Sequence, residues 1–146
     1  MIRIEEVRAR VEDCVPQLRG KFQSAGKFAD LVKNNQLPQV TPAGFVLFGG
    51  LRGGTAEYAT GAFVQNLEET VSVVVVDRYA GDARGGDVVD QITPLVREVI
   101  TAVCSWGPDD APGVFVLRVA ELVAVDRGAL IFEINFALND QLRIFS

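Results

Sequence analysis

One stretch of the chain, Glu69 to Tyr79, limits what the rest can fold into. Its sequence is ETVSVVVVDRY, in which five valines occur within six residues and neither Gly nor Pro is present. β-branched residues at this density favour a pleated strand over a helix. Because side chains alternate between the two faces of a strand, the valines divide between them, with Val71, Val73 and Val75 on one face and Val74 and Val76 on the other. The sequence therefore predicts a central strand that is covered at least partly on both faces.

Helical spacing appears before and after this strand. In the first 18 residues apolar side chains recur at intervals of three and four, which predicts an amphipathic helix that ends near Val15 because Pro16 follows. Ser24 can cap a short second helix. A third helix is predicted from a cap at Asp87 to Trp106, again with one apolar face.

Three further strands are predicted around the central one. The run AGFVLF, residues 43–48, is short and apolar, and two alternating runs near the C-terminus are joined by a tight turn at Asp126-Arg127-Gly128. The tail from Asn139 to Ser146 is predicted to add a sheet edge or to cover one. We therefore expect an α+β fold with an antiparallel-rich, four-stranded sheet, helices packed on one face, and the order α-α-β-β-α-β-β.

Two glycine-rich segments flank the central strand. Residues 49–62, GGLRGGTAEYATGA, are predicted to form a long hairpin tip that is mobile in the free protein and ordered against a partner. If the central strand begins as early as Phe63, its first half projects beyond the sheet as a ribbon. The second segment, AGDARGG at residues 80–86, is predicted to be a loop.

Length and charge limit the class of protein. With 146 residues, the chain suits a single domain over residues 1–146. The net charge is −5, and no run of Lys or Arg is interleaved with aromatic residues, so a track for nucleic acid is not expected. No apolar segment approaches the roughly 20 residues that span a bilayer, and the charged N-terminus is unlike a signal peptide. We expect a protein made in a cytoplasm, with no membrane partner.

Catalytic and ligand-binding motifs are missing from the sequence. The chain has no histidine and no Cys-x-x-Cys spacing, and neither glycine-rich segment has the Lys-Ser/Thr ending of a phosphate-binding P-loop. Asp109 and Asp110 lie between prolines, which is typical of a solvated turn. Glu68 and Glu69 point to opposite faces of a strand and cannot form an acid/base pair. We therefore predict that the protein is not an enzyme and has no catalytic residues, cofactor or metal.

The order of several short motifs resembles one protein family. These motifs are the run LRGKFQSAGKFADLVKNNQLPQVTPAGFVLFGG with its Leu-Pro-x-x-x-Pro-Ala pattern, the glycine-rich insert, the strand ETVSVVVV, a helix ending in Trp106-Gly107-Pro108, and the closing strand IFEINFAL. In this order they resemble the tail terminator proteins of long-tailed bacteriophages, and in particular the small terminator-type family of Mu-like phages. The resemblance covers most of the chain, although no single motif is diagnostic.

The resemblance implies a structural role in the virion. Proteins of this kind form a hexameric ring at the head-proximal end of the tail tube, stop tube polymerisation and provide the docking face for the capsid connector or neck protein. The expected partners are therefore further copies of the chain, the tail tube protein and the connector, while DNA passes through the lumen without sequence-specific binding. Assembly is expected in the bacterial host cytoplasm.

On this interpretation, two groups of residues are candidates for partner or subunit contacts. The first is the hairpin tip and the strand after it, with Arg52, Glu57, Tyr58 and Phe63, and Tyr58 is the expected anchor because aromatic residues dominate interface energetics. The second surrounds the loop after the central strand and comprises Arg78, Tyr79, Asp82 and Arg84. Either group can instead be a solvated loop.

Two other functions fit the same sequence features. The first is another head-tail joining or tail completion protein, which would use the same fold with different partners. The second is a cellular small-molecule-binding α+β module, which would require a concave pocket with convergent polar groups.

Overall fold

The computed structural model of the chain describes residues 2–79 and 85–145, and describes the side chains of the second range from residue 90 onward. The described part contains three α-helices and five strands. The helices are α1 (Ile4–Cys14), α2 (Ala25–Lys33) and α3 (Gly85–Val103), and the strands are β1 (Phe22–Gln23), β2 (Ala43–Ala59), β3 (Ala62–Arg78), β4 (Phe115–Asp126) and β5 (Ala129–Phe145). All five strands form one sheet in the order β1-β2-β3-β5-β4.

The valine-rich segment is the centre of this sheet, as predicted. β3 pairs antiparallel with β2 on one side and with β5 on the other, and its pairing with β5 is regular from Ala62 to Arg78. Val71, Val73 and Val75 are fully buried, and Val74 and Val76 are nearly so. Both faces of this part of the strand are therefore covered.

Helices cover both faces, which corrects the prediction that they pack on one. On the first face, α1 and α3 lie over Val71, Val73 and Val75 and form the main hydrophobic core. On the second face, Leu31 of α2 packs with Phe45 and Val74 in a smaller core. The apolar positions of α2 indicate that one side of the helix is buried, but not which face of the sheet buries it.

The sheet differs from the prediction in a second respect, because it is five-stranded and mixed. Phe22 and Gln23 form β1, which pairs in parallel with Gly44 and Phe45 of β2 and is inserted between the first two helices in the element order. A strand of two residues is too short to show alternation in sequence. A Cβ atom on Gly44 would lie 2.7 Å from the Phe22 ring, so glycine at this position permits the packing.

The end of α1 and the start of α2 agree with the predictions made from the sequence. α1 ends at Cys14, two residues before Pro16. Ser24 caps α2, as predicted, because its Oγ accepts a hydrogen bond of 3.0 Å from the backbone N–H of Lys27. The prediction that Asp87 caps the third helix is wrong, because α3 begins at Gly85 and residue 87 therefore lies inside the helix.

The Trp-Gly-Pro motif has a packing role. The ring of Trp106 stacks on Phe115 at a centroid distance of 5.7 Å, and the guanidinium of Arg10 lies 5.5 Å from the Trp106 ring. A Cβ atom on Gly107 would lie 2.3 Å from the carbonyl oxygen of Gly113, so the chain can turn here only with glycine. These contacts join α1, the end of α3 and β4.

The segment 49–62 is strand and not an unpaired hairpin tip. β2 continues to Ala59, and only Thr60 and Gly61 form the turn to β3. Two bulges, between Phe48 and Gly50 and between Gly53 and Ala56, allow this glycine-rich strand to follow β3. Sequence propensity alone favours a loop here, and pairing with a long neighbouring strand overrides it.

The C-terminal hairpin agrees with its prediction, and the tail adds to the sheet. β4 and β5 are joined by a two-residue turn in which Arg127 and Gly128 both have positive φ, at 46° and 79°. β5 then continues beyond β4 to Phe145 and pairs with the start of β3. The last eight residues described therefore form a third strand beside the β2–β3 hairpin.

We call this projecting part the outer ribbon. It comprises residues 50–59 of β2, 62–69 of β3 and 138–145 of β5, and the rest of the sheet is called the inner sheet.

Candidate interaction surfaces

Beyond its buried base, the first face of the outer ribbon is largely apolar and partly exposed. Strand pairing places Tyr58, Phe63 and Ile144 side by side near the end of the ribbon, on the same face as the main core. Tyr58 is 81% exposed and Ile144 is 53% exposed. The neighbouring row contains Ala56 and Leu142. This face therefore extends the apolar surface of the inner sheet beyond the helices that cover it.

The second face of the ribbon is charged. By strand alternation Arg52, Glu57 and Arg143 lie here, and Glu68 forms an ion pair of 3.0 Å with Arg118 of β4. Both members of that pair are partly exposed, so it contributes little to stability. Phe145, which is 73% exposed, also lies on the second face, and Gln65 lies on the first, so one face of the ribbon is mainly apolar and the other is mixed.

A buried ionic network lies where the inner sheet ends and the ribbon begins. The carboxylate of Glu69, which is fully buried, accepts hydrogen bonds of 2.5 Å from the backbone N–H groups of Ile2 and Arg3. The guanidinium of Arg3 donates to Asp140 of β5 at 3.0 Å and to Asp110 at 2.6 Å. Because Glu69 and Asp140 belong to the sheet, the network fixes the start of α1 to the base of the ribbon.

Burial and neighbouring charge shift the pKa values of this network in opposite directions. The hydrogen bond from Arg3 lowers the pKa of Asp110 below its usual value. Burial would raise the pKa of Asp140, but hydrogen bonds to its carboxylate, those from the Gln141 backbone and Arg3 among them, outweigh burial and lower the pKa. Burial would likewise lower the pKa of Arg3, but its bonds to Asp110, Glu6 and Asp140 raise it. Arg3, Asp110 and Asp140 are therefore charged near neutral pH.

The sequence indicated that Glu68 and Glu69 face opposite ways, and the structure confirms it. The sequence did not indicate that Asp110 has an ion-pair partner. The Asp110 side chain is 76% exposed, as a solvated turn predicts, yet it bonds to Arg3 across 107 residues of chain. No local sequence pattern indicates a contact between residues so far apart in the chain.

Two edges of the sheet are unpaired within the described part of the chain. β4 lies at one edge, where its exposed side chains are largely apolar: Val116, Leu117, Val119, Val123 and Val125. At the other edge, β1 pairs only with Gly44 and Phe45, so β2 is open from there to the ribbon end. Open edges can pair with a strand of another chain, and the two bulges in β4 limit uncontrolled pairing.

At the inner end of β3 lies a cavity of about 560 Å³. Its walls are α2, the segment 36–40 that contains the Leu-Pro motif, and the β4–β5 turn. Arg78 donates a hydrogen bond of 3.1 Å to the carbonyl oxygen of Pro38, and Arg127 donates one of 2.7 Å to that of Asn35. The two arginines thus hold the loop after α2 against the sheet.

The predicted contact residues fall into two groups at opposite ends of β3. Arg52, Glu57, Tyr58 and Phe63 lie in the outer ribbon, and Arg78 lies at the far end of a strand of 17 residues, which spans roughly 55 Å. Tyr79 is partly buried against the main core. Asp82 and Arg84 lie outside the described residues.

The tail from Asn139 was predicted to add a sheet edge or to cover one, and it joins the sheet as the end of β5. Sequence reasoning did not identify Leu142 and Ile144 as candidate contact residues beside Tyr58. Leu142 and Ile144 alternate with Gln141 and Arg143, and this period of two was the available signal. It was overlooked because the run is short and lies at the chain end. The exposed Phe145 belongs to the same strand.

Two further features, metal-ligand clusters and membrane-spanning helices, are absent from the described part of the chain. Residues 2–79 and 85–145 contain no group of three or more acidic, Cys or His side chains arranged to hold a metal ion. Among the helices in those ranges, none is both long and apolar enough to cross a membrane.

A family model described as phage tail terminator protein matches residues 1–144. No curated protein matches the chain.

Proposed function

The chain belongs to the phage tail terminator protein family, and from this we propose that it forms a hexameric ring on the head-proximal end of the tail tube. The ring stops the addition of further tube subunits and offers its other side to the capsid connector. Membership of the family makes the protein a structural component of the virion tail. The hexamer, the capping of the tube and the connector contact are the proposed part.

The outer ribbon is the observation that carries the proposal. Its apolar face presents Tyr58 and Ile144 to solvent on either side of the partly buried Phe63, in line with the core face of the same sheet. Exposed apolar surface of this kind is typical of a protein-binding site. Aromatic side chains contribute a large share of the energy at interfaces. We assign this face to the tube subunit at the end of the tail.

The open edge of β4 supports a ring. A ring needs two different patches on each copy, which contact each other head to tail. β4 offers unpaired backbone groups and exposed valines such as Val119 and Val123 at one side of the sheet, and β2 is open at the other side. Backbone pairing between two such edges extends a sheet from one copy to the next.

The charge of the chain fits passage of DNA through the ring. A net charge of −5 gives no general attraction for phosphate groups. The second face of the ribbon carries both signs of charge, with Arg52 and Arg143 near Glu57 and Glu68. A lumen formed by such a surface lets DNA slide without sequence-specific binding, and we expect assembly to take place in the host cytoplasm.

The test is the length of tails made with altered ribbons. A phage that lacks this gene is complemented with the wild-type gene, with a double variant carrying Tyr58→Ser and Ile144→Ser, or with Val32→Ser as a control. Val32 is also a highly exposed apolar residue but lies on α2, away from the ribbon. Tail lengths are then measured by electron microscopy.

We expect the double variant to produce tubes of overgrown and variable length that do not join capsids, and the control to restore normal tails. Normal tail lengths with the folded double variant would refute the assignment of the ribbon. Tails of normal length beside free capsids in the uncomplemented deletion would refute termination and identify a joining or completion protein.

A further inference from the structure

The cavity at the inner end of β3 is cationic, although the chain as a whole is acidic. Three cations line it, Lys27, Arg78 and Arg127, and no carboxylate does within the described residues. Asp126 lies outside the lining and pairs with Arg127 at 3.2 Å. Each arginine gives one hydrogen bond to a loop carbonyl and keeps further N–H donors for another partner.

Lys27 occupies a position where its charge opposes local stability. Ser24 caps α2, and Lys27 is the third residue of the helix. An acidic residue is favoured here, because Glu completes a capping box and complements the positive end of the helix dipole. The Lys27 side chain is exposed and forms no ion pair within the described chain. Nothing in the fold accounts for a cation at this point.

Arg127 breaks a second local rule beside the same cavity. It is the first residue of the two-residue β4–β5 turn and has a φ of 46°. Asn, Asp and Gly are favoured at this position because a larger side chain is strained at positive φ. Departures from local preference tend to occur at functional sites. Two such departures, both of which place a cation beside one cavity, indicate a ligand with negative charge.

The remaining lining residues define the type of ligand. Leu31, Leu37, Pro38 and Val40 make part of the wall apolar, and the neutral polar residues Gln23, Gln36 and Gln39 complete it. The cavity has a volume of about 560 Å³, which is within the range of sites that bind multi-atom ligands. This volume greatly exceeds the space that a single anion needs. A segment of polypeptide with acidic and apolar side chains matches both parts of the wall.

We propose that this cavity binds an acidic peptide segment of a partner protein, with Lys27, Arg78 and Arg127 contacting its carboxylates. The cavity and the end of the outer ribbon lie at opposite ends of β3. If the ribbon contacts the tube, the partner lies on the other side of the ring. This location rests on the proposed function, while the binding chemistry of the cavity does not.

Binding is tested on the purified protein by fluorescence anisotropy. The probe is a fluorescein-labelled octapeptide of alternating Glu and Leu, and the matched probe has Gln in place of Glu. The variants are Lys27→Glu and the control Lys33→Glu, which makes the same charge change on the same helix outside the cavity. Lys27→Glu completes the capping box with Ser24, so loss of folding does not explain a loss of binding.

We expect saturable binding of the Glu-Leu peptide and little binding of the Gln-Leu peptide. Lys27→Glu should weaken binding about tenfold or more, and Lys33→Glu should change it less than about twofold. Absence of binding by the wild-type protein would overturn the proposal. Equal losses in both variants, or full displacement by inorganic phosphate at constant ionic strength, would overturn it too, since either result indicates general charge attraction.

Complementation of the phage deletion separates this proposal from the proposed function. Lys27→Glu should give tails of normal length that do not join capsids, while Lys33→Glu should restore infectious particles. Infectious particles with Lys27→Glu would overturn the role of the cavity and leave termination untouched. Overgrown tubes with Lys27→Glu would overturn the assignment of the cavity to the side of the ring away from the tube.

Discussion

The inner sheet and the outer ribbon share the same three strands but are stabilised differently. In the inner sheet, Val73 and Ile134 are fully buried beneath α1 and α3, and Val74 is covered by α2. At the far end of the outer ribbon, Tyr58 and Ile144 of β2 and β5 are exposed. A single continuous strand, β3, passes from one environment to the other.

This difference separates the part of the sheet that folds the domain from the part available to a partner. Burial of apolar side chains stabilises the inner sheet. The ribbon depends on backbone hydrogen bonds among three strands and on the ionic network at its base. Glu69 and Asp140 of that network mark the boundary between the two regions. This exposed apolar surface is the face that we propose as a site for assembly.

The largest expected effect comes from a matched pair of substitutions on β5. Phe136 and Ile144 lie on the same face of that strand, but Phe136 is fully buried and Ile144 is exposed. Phe136→Ala should lower the free energy of unfolding by about 3–5 kcal/mol, because it leaves a cavity in the core. Ile144→Ala should lower it by about 1 kcal/mol or less. Urea denaturation measures both. Similar losses would show that the ribbon is part of the cooperative core.

The boundary between the regions is tested by Glu69→Ala. This change removes the acceptor of the buried N–H group of Arg3 and of the partly buried N–H group of Ile2, and should lower the free energy of unfolding by about 2–3 kcal/mol. The neighbouring Glu68→Ala removes only a partly exposed ion pair with Arg118, and should cost less than about 1 kcal/mol. Urea denaturation of the two variants measures the difference. A cost for Glu69→Ala no larger than that for Glu68→Ala would show that the network does not anchor α1.

The smallest expected effect is the pH dependence of the network. An unfolded Asp titrates near about 3.9, and the hydrogen bond from Arg3 lowers the pKa of Asp110 in the folded state. Its contribution to stability is therefore present above the unfolded pKa and is lost as pH falls through the lower, folded pKa. Asp110→Asn should flatten the decline in urea midpoint below about pH 4.

Two other acids shape the same pH profile and are unchanged in this variant. The pKa of Asp140 is also lowered, so part of the decline remains. Burial raises the pKa of Asp77, so its contribution has the opposite sign. A decline in Asp110→Asn that is parallel to that of the wild-type protein would show that the Arg3–Asp110 contact is not maintained in solution.

Prediction from sequence succeeded where the signal is local. The valine run, the Ser24 cap and the turn at Arg127-Gly128 each depend on residues close together in the chain, and the structure has all three. The contact between Arg3 and Asp110 has no local signal. Nor does β1, whose two residues are strand only because Gly44 lies beside them.

The candidate site was predicted in part for the same reason. Tyr58 and Phe63 were identified from their positions around a glycine-rich segment, and the structure places them side by side. That segment was predicted to be a loop, because glycine has low strand propensity and the pairing that overrides it comes from β3. The third member of the row, Ile144, is distant in sequence and was not predicted.

The sequence by itself determined the central strand, the helices, the α+β class and the family resemblance, because periodicity and capping act over a few residues. Only the tertiary structure decided which face each helix covers, how far the ribbon projects and where three cations meet around one cavity. These features depend on pairing and packing between segments far apart in the chain. The free energy of such a contact depends on both segments, so it cannot be inferred from the sequence of either segment alone.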